Sequence, residues 1–437
     1  MPNSSRVVFR CLVLFLVLLF IRMTVNVWNY SVNIFYLDQW DFLGALYKPV
    51  SLWKMFNWQH GPPRLGLGLP LMIAGLRLTH ANQNVLAYMS VVVFALNAAA
   101  GLWLKFRLTQ RWSWHDLLIP TLFLSGSQWA NVFSIADLSH GPLEVFLVLA
   151  FCLVLTCPRG WARTVGLIVT LFCAIFTGFG IFLAPLGAFY FAIQCWFSPR
   201  SELKQNLTGL VGTLLSVILY LHGFVFQTSS DCFVFPDPHP DRYFKFIMYS
   251  YARAVGGTQP YSLPTLIGFI ICVAVMLQFV YLGLKIVRSV RKFEILDWVT
   301  WITTSFALVF AVNAAFGRVC YGSQAGMVSR YVTYTVVGIF ALYLRLEASQ
   351  ILNKVVLAFV VLIVAIDLWP NYADLNALRD IKERRSKWAN CYINTHSIDT
   401  CNVQARYELY PVSLSSQFRE KLQFLEDHDL SFFHSGP

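Results

Sequence analysis

Asp38 and Asp41 stand three residues apart in the run Tyr36, Leu37, Asp38, Gln39, Trp40, Asp41, and His60 and Arg64 follow on either side of Gly61, Pro62 and Pro63. Paired carboxylates can act as a general base or hold a divalent ion such as Mg or Mn through oxygen ligands. An arginine stays charged at any working pH and donates in a planar fork, which suits a phosphate or pyrophosphate oxygen. A second cluster comes late: Gly317, Arg318, Val319, Cys320, Tyr321 and Gly322, then Ser329, Arg330 and Tyr331. Charged residues are only 13% of this chain and apolar ones 57%, so ionisable clusters against a membrane face call for a functional explanation. The competing explanations are solvated loop acids, an interface histidine and snorkelling arginines.

The elements that must position these groups are membrane spans. A mean hydropathy of +0.58 and repeated apolar runs near ~20 residues fit bilayer crossings and not one soluble core. The reading is an all-α polytopic membrane protein of about 11 transmembrane helices with an amphipathic first external loop. The expected spans are 7–28, 84–103, 116–136, 141–155, 164–177, 180–197, 207–226, 263–287, 298–316, 332–346 and 351–368. The first is expected to be an uncleaved signal anchor. The formal charge of +11 lies in short loops between spans, where topology accounts for it, so nucleic acid is not an expected partner.

With the N-terminus cytoplasmic, Lys105, Arg107, Arg111, Arg159, Arg163, Arg200, Lys204, Lys285, Arg288, Arg291 and Lys292 fall inside, as the positive-inside rule requires. Every unusual polar cluster then falls outside, in loops 30–66, 227–262 and 317–330. Residues 1–370 form the membrane domain and 371–437 a small external tail. Arg318 and Arg330 break the positive-inside trend, which points to an anion bound there. The third span carries Gln128, Trp129, Asn131 and Ser134 on a polar face leading to Asp137, His140 and Glu144. This face is either a pocket wall, with Trp129 stacking on a sugar ring, or interhelical glue. Cys391 with Cys401 is an expected disulfide in an oxidising compartment, and Cys232 and Cys320 are expected on the same face.

In its acidic first loop, its His60/Arg64 element and its late Gly317-Arg318 with Ser329-Arg330-Tyr331, the chain resembles the C-type integral-membrane glycosyltransferase superfamily (GT-C), and within it uncharacterised bacterial polytopic members. The resemblance covers most of the chain through Leu368. It implies transfer of a sugar from a polyprenyl-phosphate donor to a glycan, lipid or protein acceptor on the outer face, by an inverting displacement in a bacterial inner membrane. Asp38 or Asp41 would be the base, and Arg318, Arg330 and Tyr331, with His60, Arg64, Gln128 and Trp129, would bind substrate. This chain spaces Asp38 and Asp41 where better-known relatives have adjacent acids, which leaves the base and the metal requirement open. The alternatives are a secondary transporter or flippase of a lipid-linked or anionic substrate, and a noncatalytic scaffold.

Overall fold

Lipid-facing backbone can satisfy its N–H and C=O groups only internally, so apolar runs of this length must be helical. The structure, a computed structural model, describes residues 3–42, 44–134, 136–226, 232–233, 235–349, 353–369, 371–411 and 415–434. Among the described residues the regular elements are all helices. Seven are long and apolar enough to cross a membrane: Ser5–Tyr30, Asn84–Thr109, Gly180–Phe197, Leu263–Lys292, Ile295–Tyr321, Ser329–Ser349 and Val356–Thr395. The chain is thus an all-α multi-pass membrane protein.

The other four expected spans are not among these seven. Segment 116–136 breaks into the short Leu118–Phe123 helix, a 3-10 turn at Gly126–Gln128 and a π-helical turn at Ala130–Ser134. Pro142–Leu155 and Trp161–Ile175 are apolar but short, and Arg200–Leu221 opens on a charged turn. The first loop, 30–66, is not one amphipathic helix. It holds three short helices, Gln39–Phe42, Gly44–Tyr47 and Leu52–Phe56, and the apolar helix Gly68–Leu78 follows it.

The first two, Gln39–Phe42 and Gly44–Tyr47, are held by the C-terminal tail. Trp40 is fully buried; its ring meets Phe418 at 4.8 Å and its indole N–H donates to the Phe35 carbonyl at 2.9 Å. Tyr36 stacks on Tyr407, and the Leu37 N–H donates to the Leu409 carbonyl at 2.8 Å. Burying an aromatic ring against another yields more than leaving it at the headgroups once a partner exists. The tail is helical over Tyr372–Thr395, Ile398–Ala405 and Ser415–Asp427. It also contains the expected Cys391–Cys401 disulfide, while Cys232 bonds Cys320 and joins loops 227–262 and 317–330.

The two ends of the helix bundle differ in charge chemistry. At the C-terminal end of the Val332–Ser349 helix, Lys105 lies 2.9 Å from Asp116 and 3.6 Å from Glu347, and His115 lies 2.8 Å from Glu347. Lys285 and Arg345 similarly pair with Asp297. Buried charges persist in such surroundings only when paired. The opposite end, where this helix begins at Arg330 and Tyr331, holds the polar clusters singled out in the sequence.

Candidate functional site

A cavity of about 1220 Å³ opens at that end. Its lining brings together Asp38, His60, Trp129, Arg318, Arg330 and Tyr331, residues from the first loop, the third segment and the late loop. Asn131, Ser134, Asp137, His140, Arg253 and Asp374 complete its polar wall.

Asp38 sits just before the Gln39–Phe42 helix, in a turn fixed where the Tyr36 N–H donates to the Gln39 side chain at 3.0 Å. Its carboxylate lies 3.6 Å from His60 Nε2. Burial works to raise the Asp38 pKa, but the contact and charge of His60, with His140 and Arg330 behind it, hold it below its ordinary value. Burial likewise works to lower the His60 pKa, and Asp38, then Asp41 and Asp137, raise it. Each therefore favours the other's charged form. His140 contacts Asp137, whose other oxygen accepts from the Ser139 N–H at 2.8 Å.

The backbone at Arg330 is held by a short hydrogen-bond lock. Ser329 Oγ donates to the Ser127 carbonyl at 2.6 Å and accepts from the Ala130 N–H at 3.0 Å. Asn131 Nδ2 donates to the Arg330 carbonyl at 3.2 Å and to Thr333 Oγ1 at 2.7 Å. The third segment is π-helical at this point, the local widening that often marks functional positions in helices. From the tail, the buried Arg385 donates to the Phe133 and Ser134 carbonyls at 2.9 and 2.7 Å, satisfying the end of that turn.

Three expected site residues lie elsewhere. Asp41 accepts from the Tyr410 hydroxyl at 2.6 Å and from Lys421 at 3.1 Å, so it anchors the tail. Gln128 is fully buried; its amide donates to the Leu122 and Phe123 carbonyls and accepts from Thr333. Arg64, only 2% exposed, donates to the carbonyls of Asn57, Tyr220 and His222. Its local path is set by Gly66, whose φ of +51° and 2.3 Å clearance from the Phe176 carbonyl exclude a side chain.

Arg64 is thus a clamp on the end of the Arg200–Leu221 helix, where carbonyls lack helical partners. Arg64→Ala is expected to destabilise the protein by about 2–4 kcal/mol, because it strands buried acceptors. Thermal unfolding of the purified protein in detergent measures this. A variant with unchanged melting but weakened phosphate binding would return Arg64 to the ligand site.

Asp38 and Asp41 point to different partners, and among the described residues no group of three His, Cys, Asp or Glu side chains is arranged to hold a metal ion. A site that sequence reasoning missed is Arg253 with Asp374, an ion pair of 2.6 Å on the cavity wall. Trp129 Nε1 donates to the same Asp374 oxygen at 2.9 Å. Arg253 closes the Asp241–Ala254 helix, and its signal was a lone arginine after the aromatic run Tyr249, Ser250, Tyr251. No protein-family model and no curated protein matches this chain.

Proposed function

We propose that this protein is a GT-C-like membrane glycosyltransferase that moves a sugar from a polyprenyl-phosphate donor to an acceptor hydroxyl at the cavity. The observation that carries this reading is that Asp38, Arg318 and Arg330, from distant parts of the sequence, line one cavity. In this reading Asp38 takes the acceptor's hydroxyl proton as the acceptor oxygen bonds to the anomeric carbon. The bond from that carbon to the phosphate oxygen breaks, and its electron pair leaves with the phosphate. Arg318 and Arg330 neutralise the growing charge, and Tyr331 adds a hydrogen bond. His60 is a positioning residue that orients Asp38, and Trp129 offers a ring face to the sugar.

The distribution of charge supports an external site. The basic residues Lys105, Arg111, Lys285 and Arg345 gather at the opposite end with their acids, and both disulfides lie at the cavity end, as an oxidising compartment requires. Away from the cavity, Lys105 with Asp116 and Glu347, and Lys285 and Arg345 with Asp297, form buried ion pairs, the pattern of structural pairs. Turnover by the protein reconstituted in liposomes, with a panel of polyprenyl-phosphate sugars, tests the activity. Absence of transfer and of donor hydrolysis across the panel would reject it.

Orientation has its own test. Cys157 is a free, exposed thiol in the turn after Pro142–Leu155, at the basic end. In intact cells a membrane-impermeant maleimide is expected to label Cys232 and Cys320 after mild reduction and to leave Cys157 unlabelled until permeabilisation. The reverse pattern would put the cavity in the cytoplasm.

A further inference from the structure

Beside the main cavity lies a second chamber of about 700 Å³, and the two share Trp129, Thr258, Ala373 and Asp374. Their charge chemistry differs. The main cavity presents five basic side chains, His60, His140, Arg253, Arg318 and Arg330, against Asp38, Asp137 and Asp374. In the smaller chamber the charges are consumed internally. Arg22 bonds Asp367 at 2.7 Å, and the other Asp367 oxygen accepts from Ser125 Oγ at 2.7 Å and from the Gly126 N–H at 3.2 Å. Asp374 is held by Arg253 and Trp129.

What this chamber offers a ligand is therefore neutral: the amides of Asn26 and Gln259 above an aliphatic wall that includes Met23, Leu122, Ile363 and Ile366. A wall without free charge discriminates against phosphate, since an anion would lose its hydration without gaining a cation. The chamber also lies at headgroup depth. Trp28 is 80% exposed two residues beyond Asn26, Tyr261 is 99% exposed two residues beyond Gln259, and Trp369 on the chamber wall is 74% exposed. Exposed Trp and Tyr at span ends mark the membrane interface.

From this contrast we infer that the smaller chamber binds the acceptor, and that the acceptor is a neutral amphiphile with a hydroxyl-bearing head. The aliphatic wall takes its chain, Asn26 and Gln259 bond its head, and the reacting hydroxyl enters the main cavity past Thr258 and Trp129. This assignment rests on the transferase reading of the main cavity.

Photolabelling of the full-length protein in phosphatidylcholine nanodiscs tests it with two probes, a diazirine-tailed diacylglycerol and the matching phosphatidic acid. The neutral probe is expected to mark peptides containing Met23 and Ile363–Ile366, and the double variant Asn26→Leu, Gln259→Leu to reduce that labelling about tenfold, the loss of two neutral hydrogen bonds. Equal labelling by phosphatidic acid, or unchanged labelling of the double variant, would overturn the assignment. Failure of the transferase reading looks different: the neutral labelling persists while no polyprenyl-phosphate sugar turns over.

Discussion

Asp38→Asn is expected to lower transfer by about 10²–10⁴-fold, the usual contribution of a positioned general base, with expression retained and only a small fall in melting temperature from loss of the half-exposed His60 pair. Asp41→Asn is expected to do the opposite. It weakens the bonds from Tyr410 and Lys421 that tie the tail to the first loop, so melting falls by an amount worth about 1–3 kcal/mol while kcat stays within a few-fold of wild type. Measuring kcat and thermal unfolding on both variants separates the roles. If the two lose activity equally at unchanged stability, the distinction between the two acids is wrong.

The pH dependence follows from the Asp38 and His60 pair. Burial alone would raise the carboxyl, yet His60, His140 and Arg330 hold it below 3.8, so its stabilising charge is present above the unfolded value and fades as pH falls through the lower folded one. Burial alone would lower His60, yet Asp38, Asp41 and Asp137 hold it above 6.5, so its contribution is complete below that value and fades as pH rises through the higher folded one. Stability from the pair is therefore broadest between these limits. The rate should hold on the acid side beyond the range of an ordinary carboxylate and decline above pH 6.5 as the imidazolium discharges. His60→Gln should abolish the alkaline decline.

The convergence of first and late loops was legible because it depends only on parity: successive spans alternate direction, so loops at the same end can meet. The Cys391 and Cys401 pairing was legible for the same local reason, ten residues on one face. What failed were inferences that needed a partner's position. Asp38 and Asp41 were read as a pair, but the helix there begins at Gln39 and lasts four residues, and the Asp41 partners Tyr410 and Lys421 lie more than 360 residues further on. Arg64 read as a phosphate ligand because its true acceptors are backbone carbonyls at a helix end, which no side-chain pattern announces. Arg253 and Asp374 were missed since one sits in a helix read as loop and the other in a segment read as a tail outside the membrane domain.

Arg330→Ala should raise the donor Kd about 10–100-fold, the loss expected of one charge-assisted hydrogen bond worth about 1.5–3 kcal/mol. The backbone of this residue is fixed by the Ser329 lock and the Asn131 amide, so truncating the side chain should leave the loop in place. Arg22 is committed to Asp367 and one nitrogen of Arg253 to Asp374, and Arg330 lines the cavity with its guanidinium 5.7 Å from the Tyr331 ring. Lysine keeps the charge without the planar fork, so Arg330→Lys should recover only part of the affinity. A polyprenol lacking phosphate serves as the control, since it should bind wild type and Arg330→Ala alike. If the alcohol loses as much affinity as the phosphate, Arg330 acts through the shape of the cavity and the anion site must be sought at Arg318.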